Sequence, residues 1–245
     1  MDKVVLVTGA SRGIGAAIAE MLASAGYVVG CLSRSGALPD RPGAPVEVRD
    51  KWIPFCADVK DARAMQLASD DLSRHGRLYG LVNNAGLHRE AESSTMAIRD
   101  WDEIMAVNAT STVIACQAAF GHMMTAGGGL IVNIGSFFDK LGVKRNMAYC
   151  ASKAAVAAIT RVLAVEWAAN GIRVINVAPG YVQTDLNRAA MTQGPLLSYL
   201  QRRIPAGGPA QADDIARIVV MLFQLDIPFL TGETIYVDGA QGIAH

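Results

Sequence analysis

Short, densely apolar runs alternate along the chain with longer stretches whose apolar positions recur every three to four residues. Residues 4–7, a short apolar β-branched run, predict a buried strand, and residues 27–33, 53–57, 78–83, 130–134, 172–178 and 234–237 read as strands likewise. Helical spacing predicts helices over residues 16–25, 61–75, about 100–126, about 148–170 and 213–225. Strands and helices of these lengths in alternation predict an α/β fold. Its core would be a doubly wound parallel sheet of about seven strands with helices on both faces. No repeat or composition break divides the chain, so residues 1–245 read as one domain. The Pro- and Gly-rich stretch 36–45 reads as a surface loop after the second strand.

Composition narrows the classes of function. Apolar residues are 51% of the chain and charged residues 18%, a balance that supports a large core and excludes disorder. Lys+Arg 22 against Asp+Glu 22 leaves no basic field for nucleic acid. No run approaches eighteen apolar residues, and Met1-Asp2-Lys3 leads straight into a strand. A cytoplasmic protein without a signal peptide or a membrane partner is therefore expected. Cys31, Cys56 and Cys116 are expected to be buried free thiols, and Cys150 a small packing residue. With no C-x-x-C and only scattered histidines, no metal is expected.

The polar punctuation falls where the strands end. Ligands in such sheets bind outside the carboxyl ends of the strands. Here those ends read Thr8-Gly9, Ser33-Arg34, Asp58-Val59, Asn83-Asn84-Ala85-Gly86, Gly135-Ser136 and Pro179-Gly180. The first is followed by Ala10-Ser11-Arg12-Gly13-Ile14-Gly15 and then a helix. Strand, glycine turn and helix aim free backbone N–H groups and a helix dipole at a phosphate. Tyr149 and Lys153 stand four apart on one helix face, with Ser136 thirteen positions upstream. An ammonium beside a phenol favours the phenolate, which predicts a Tyr149 pKa lowered toward neutrality. That tyrosine would act as a general acid, with the serine holding a carbonyl oxygen.

These motifs, T-G-A-S-R-G-I-G, Asp58, N-N-A-G at 83–86, Asn108, Ser136, Tyr149-x-x-x-Lys153 and Pro179-Gly180 followed by Thr184, resemble those of the short-chain dehydrogenase/reductase family. The resemblance spans essentially the whole chain and is greatest to the 3-oxoacyl-[acyl-carrier-protein] reductase type. It implies a Rossmann-type fold and an oxidoreductase with Asn108, Ser136, Tyr149 and Lys153 as its catalytic set. Tyr149 would exchange the proton, Ser136 would orient the carbonyl, and Lys153 would also bind the nicotinamide ribose. Asn108 would hold a helix kink and a water linking Lys153 to solvent. Gly9, Ser11, Arg12, Gly13, Ile14 and Gly15 would line the pyrophosphate and ribose, and Asp58 and Val59 the adenine. Asn84, Ala85 and Gly86 would lie along the ribose, and Pro179, Gly180, Val182 and Thr184 along the carboxamide. A lid at about 186–204 would close over substrate. A homotetramer would pack through the helix at 151–169, which is apolar on more than one face, and through the last strand.

Charge selects the nucleotide. An NAD-specific site carries an acidic residue at the end of the second strand. This chain has Ser33 and Arg34 there and Arg12 in the glycine turn, two guanidiniums suited to a 2′-phosphate, so NADP(H) is expected over NAD(H). Expected substrate-pocket residues are His88, Phe137, Phe138, Leu141, Met147, Tyr181 and Gln183, with Met191, Leu196, Leu197 and Tyr199 from the lid. These predict a ketone, aldehyde or secondary alcohol of moderate hydrophobicity. Where relatives carry basic docking residues this chain reads Thr125-Ala126-Gly127-Gly128-Gly129, and Asn170 takes another such place, which argues against an acyl-carrier-protein partner. A non-catalytic nucleotide-sensing scaffold is the reading of another class, and the intact Ser136, Tyr149 and Lys153 argue against it.

Overall fold

The alternation of side chains along the first strand decides the architecture. In the computed structural model, which describes residues 2–184, 187, 191, 193–225 and 227–244, Val4 and Leu6 point to one face of the sheet and Val5 and Val7 to the other. All four are fully buried, as a strand covered on both sides requires. β1 (Lys3–Thr8), β2 (Val28–Ser33), β3 (Trp52–Cys56), β4 (Arg77–Asn83), β5 (Gly129–Ile134), β6 (Ile172–Pro179) and β9 (Thr234–Val237) form one parallel sheet in the order β3-β2-β1-β4-β5-β6-β9. Two residues each from β7 (Val182–Gln183) and β8 (Ala210–Gln211) make a separate small ladder, which the hydrophobic pattern did not predict.

On one face, α1 (Gly13–Ser24) and the C-terminal helix Ala212–Gln224 bury Ile18, Leu22, Val219 and Phe223 against Val5, Val29 and Val132. On the other, α3 (Ala62–Leu72), α5 (Ser111–Thr125) and α6 (Met147–Trp167) bury Met65, Leu72, Cys116 and Ala164 against Val4, Leu6 and Ile131. Each large side chain so buried contributes about 1.5–3 kcal/mol of transfer free energy. The segments Ile98–Thr125 and Met147–Asn170 have mean hydropathies of 1.3 and 1.4 over eighteen residues, enough by length and composition to cross a membrane. Here they are layers of the fold, packed on the sheet.

Local chemistry sets several boundaries. Asp61 stands outside α3 and caps it, its Oδ1 accepting from the N–H groups of Arg63 (2.9 Å) and Ala64 (3.0 Å). The helix expected at 100–126 is interrupted: α4 (Ile98–Met105) passes into a π-helical turn, Ala106–Thr110, before α5 resumes. Ser111 and Thr112 direct their hydroxyls to the carbonyls of Val107 (2.6 Å) and Asn108 (3.0 Å) within that turn. The loop at 36–45 is present and is followed by a one-turn helix, α2 (Val46–Arg49), that the sequence pattern missed. Cys56 corrects an expectation: it is exposed, because β3 is the outer strand and its side chains alternate between core and solvent. Cys31 and Cys116 are buried as expected. The strand order reverses between β1 and β4, so the glycine turn and N-N-A-G end on neighbouring strands at the switch point.

Candidate active site

The nucleotide side of the cleft is made largely of backbone. Gly9 and Gly13 turn the chain out of β1 with φ of 66° and 57°, a region that L side chains rarely adopt. A Cβ on Gly15 would lie 2.2 Å from the Gly9 carbonyl oxygen, so only glycine lets α1 start this close to the strand. Arg12 precedes α1 without a side-chain cap, which leaves the first N–H groups of the helix facing the cleft. Asn84 fastens this turn to β4. Its Nδ2 donates to the carbonyls of Thr8 (2.9 Å) and Gly9 (3.1 Å), and Thr8 Oγ1 accepts from the N–H groups of Asn84 (3.0 Å) and Ala85 (3.1 Å).

Around these turns lies a cavity of about 400 Å³. Of the expected cofactor residues, Gly9, Ser11, Arg12, Gly13, Ile14, Gly15, Ser33, Arg34, Asp58, Val59, Asn84, Ala85, Gly86 and Thr184 all line it. Tyr149, Lys153, Pro179, Gly180 and Val182 do not. Among the described residues neither Arg12 nor Arg34 pairs with a carboxylate. Sequence reasoning missed Lys60, Leu87, Arg89, Glu103 and Val107 on the same wall. Arg89 reaches Glu103 (2.6 Å) and Asp100 (3.4 Å) only through the fold, and no local motif announces it.

The presumed catalytic residues lie deeper, beside β5. Ser136 lies buried two residues after that strand, and its Oγ accepts from the Phe138 N–H (3.2 Å). Lys153 is buried on α6 and donates through Nζ to the Ile134 carbonyl (2.8 Å), with Nζ 5.7 Å from the centre of the Tyr149 ring. Asn108, in the π-turn, accepts at Oδ1 from the Leu87 N–H (2.7 Å). Its Nδ2 donates to the Leu87 carbonyl and to Ser152 Oγ (2.9 Å each). Asn108 thus ties the N-N-A-G loop to the helix that carries Tyr149 and Lys153.

The electrostatics differ from expectation. Burial pushes the Tyr149 phenol up to about 12, opposed by its interaction with Ser136 and reinforced by Cys150. Burial pushes the Lys153 ammonium down to about 8. The lowering of Tyr149 toward neutrality by Lys153 is therefore corrected. Desolvation disfavours the charged form of both groups, and for the Tyr149 phenol it is the largest cause.

The expected substrate residues do not converge on one cavity. Phe137 and Phe138 are buried next to Ser136, and Tyr181 packs against both, with ring centres 5.7 and 6.2 Å apart. Phe138 and His88 each meet the Tyr149 ring edge-on, at 5.9 and 4.8 Å. Leu141 is half-buried, whereas Met147, Leu196 and Tyr199 are exposed. Met191 packs with Leu200 and Ile204 in a small cluster against Tyr181. Gln183 lines a separate pocket of about 200 Å³ beside Gly13, Arg41 and Asp213, on the nucleotide side. Of the expected lid, residues 186, 188–190 and 192 lie outside the described residues, and Pro195–Arg203 forms a helix.

A phosphate cradle at the switch point, with a tyrosine, a serine and a lysine beyond it, defines a nicotinamide-dependent oxidoreductase acting on an alcohol or carbonyl group. Comparison with known proteins agrees. Residues 3–194 match the family described as short chain dehydrogenase, and the chain belongs to that family. It is 37% identical to a D-threitol dehydrogenase of Mycolicibacterium smegmatis, covering 98% of this chain and 93% of the relative. To a human 3-oxoacyl-[acyl-carrier-protein] reductase it is 35% identical, covering 98% of each. A crystal structure of a gluconate 5-dehydrogenase from Burkholderia cenocepacia in complex with NADP and tartrate superposes with a TM-score of 0.89 at 32% identity, covering 100% of this chain and 97% of that one.

Proposed function

We propose that this chain is an NADP(H)-dependent oxidoreductase that interconverts a carbonyl and a secondary alcohol on a moderately hydrophobic small molecule, with Tyr149 as general acid and base. The observation that carries the reading is the convergence on one cavity of the glycine turn, Asn84 and two arginines that pair with no carboxylate among the described residues, with Ser136 and Tyr149 beyond it. The cradle fits a dinucleotide. Gly15 lets the first turn of α1 pack against the Gly9 carbonyl and the Asn84 amide, and that turn presents free N–H groups. Ser11 to Gly15 would hold the pyrophosphate, Asp58 and Val59 the adenine, Arg12 and Arg34 a 2′-phosphate. Lys153, Pro179, Gly180, Val182 and Thr184 would hold the nicotinamide end. When bound, the nicotinamide supplies or accepts the hydride.

The chain's own residues handle the oxygen. Ser136 holds the substrate oxygen, and Tyr149 gives its proton to the alkoxide that forms in reduction. A phenol held near 12 is protonated throughout the neutral range, so reduction finds its acid ready. In oxidation Tyr149 must first lose that proton. Asn108 fixes the π-turn and holds the loop after Asn84 against α6, which sets the distance between nucleotide and tyrosine.

A second reading, reduction of a 3-oxoacyl-[acyl-carrier-protein] or acyl-CoA, is favoured by the 35% identical human reductase. The glycines at 127–129 in place of basic docking residues weigh against the carrier protein. We also propose a cytoplasmic homotetramer. Val162 and Val165 on the outer face of α6 are 54% and 82% exposed, a surface that a second copy would cover. Light scattering at micromolar concentration returning a monomer would refute the tetramer. The function is tested by following NADPH and NADH oxidation against a panel of ketones, aldehydes and acyl thioesters. Turnover of free ketones or aldehydes with NADPH is expected. Activity confined to thioesters, or to NADH, would overturn the corresponding part.

A further inference from the structure

His88 sits at the mouth of the substrate side, exposed, two residues after N-N-A-G, with its ring edge-on to Tyr149 at 4.8 Å. Its Nε2 is hydrogen-bonded to Asn146 Oδ1. The orientation of that amide is fixed, because Asn146 Nδ2 donates to the Lys144 carbonyl (2.8 Å), which can only accept. An amide oxygen accepts, so Nε2 must carry the hydrogen. In a neutral imidazole the other nitrogen then offers a lone pair. Among the described residues nothing donates to Nδ1. Asn146 is itself buried at the start of α6, two residues before Ala148 and three before Tyr149, so the helix that carries the tyrosine also fixes the tautomer.

A hydrogen-bond acceptor beside the proton-exchanging tyrosine reads the group next to the reacting carbon. A plain ketone offers it no donor, whereas a neighbouring hydroxyl does. The polar groups nearby point the same way. Burial, then the neighbouring Tyr199 and Glu90, push the Tyr181 hydroxyl up, which keeps it protonated and able to donate or accept. Glu90 lies near that hydroxyl, with Arg145 Nε 3.8 Å from its carboxylate. The apolar rings of Phe138 and Tyr149 form the remaining wall.

We propose that His88 is a specificity-determining residue whose Nδ1 accepts a hydrogen bond from a substrate hydroxyl adjacent to the reacting carbon, so that the enzyme takes α-hydroxy ketones and vicinal diols in preference to isolated ketones and alcohols. The proposal rests on the carbonyl-reductase reading and deepens it. The test compares 3-hydroxy-2-butanone with 2-butanone, and 2-hydroxycyclohexanone with cyclohexanone, as NADPH-dependent substrates. The wild type should favour the hydroxylated member of each pair by about tenfold in kcat/KM. His88→Phe, which keeps a ring against Tyr149, should bring that ratio close to one, whatever its effect on the plain ketone. His88→Gln, which restores an acceptor, should recover part of the ratio. NADPH fluorescence confirms that each variant binds nucleotide and is folded. An unchanged ratio in His88→Phe, or an equal loss on both members of a pair, overturns this role for His88 alone. Failure of the wild type to turn over any of the four ketones overturns the carbonyl-reductase reading and this proposal with it.

Discussion

The two sides of the cleft differ in what they are made of. The nucleotide side is built from backbone turns, glycines and one asparagine clamp, and fourteen of its expected residues surround one cavity. The substrate side is built from side chains on five separate segments, the loop after β4, the loop after β5, α6, the segment after β6 and the lid, and of its expected residues only Gln183 lines either described cavity. Backbone turns are specified locally, by which residues tolerate a conformation or a close approach. Side-chain walls are specified by packing between distant segments. A short sequence motif therefore fixes the first kind of site and only suggests the second.

The largest effect expected from breaking the nucleotide side comes from Gly15→Val. The added atoms collide with the Gly9 carbonyl, and NADPH affinity should fall on the order of a hundredfold or more. Fluorescence titration measures it, and near-native affinity would show that the turn is not the phosphate site. On the substrate side, the raised Tyr149 predicts a difference between the two directions. Because oxidation needs the phenolate, its kcat/KM should rise about tenfold per pH unit from about pH 7 to 9, while that of reduction stays nearly flat. Parallel pH–rate profiles would contradict the raised phenol.

Arg34→Asp should raise the Michaelis constant for NADPH about tenfold, with little effect on NADH, since a charge-assisted bond is worth about 1.5–3 kcal/mol. The smallest effect concerns stability. Lys153 has a folded value of about 8 against its ordinary 10.5. With the folded value below the unfolded one, its buried charge is a penalty fully present below pH 8 and removed as pH rises toward 10.5. Lys153→Met, freed of that charge, should gain most over the wild type at neutral pH, by a few degrees of Tm per kcal/mol, and the gap should narrow through this window. Thermal unfolding across pH measures the gap, and a constant one would remove the buried charge from the account.

Much of the fold was legible because its strands are continuous apolar runs and its helices keep a 3.6-residue period. Every main strand lies within a few residues of its expected place. What the pattern missed has physical causes. The π-turn at Ala106–Thr110 keeps helical periodicity in sequence while Asn108 spends its side chain on Leu87 and Ser152, partners 21 and 44 residues away. Cys56 looked buried because it follows the apolar Trp52, Ile53 and Phe55, although Pro54 within that run marks an edge strand. The pKa of Tyr149 was misread because helical spacing reports proximity to Lys153 but not the burial that acts on both. Glu103 and Val107 reach the cavity through tertiary structure, whereas Lys60 directly follows Asp58-Val59 and adjacency could have found it.

The central claim is that a prebuilt nucleotide cradle serves a separate proton-exchanging tyrosine. It is tested most directly by measuring NADPH binding and ketone turnover on the same preparation of Tyr149→Phe. The account predicts unchanged NADPH affinity, because Tyr149 does not line the nucleotide cavity, with turnover reduced by about 10²–10⁴-fold. Near-normal turnover in that variant would contradict it.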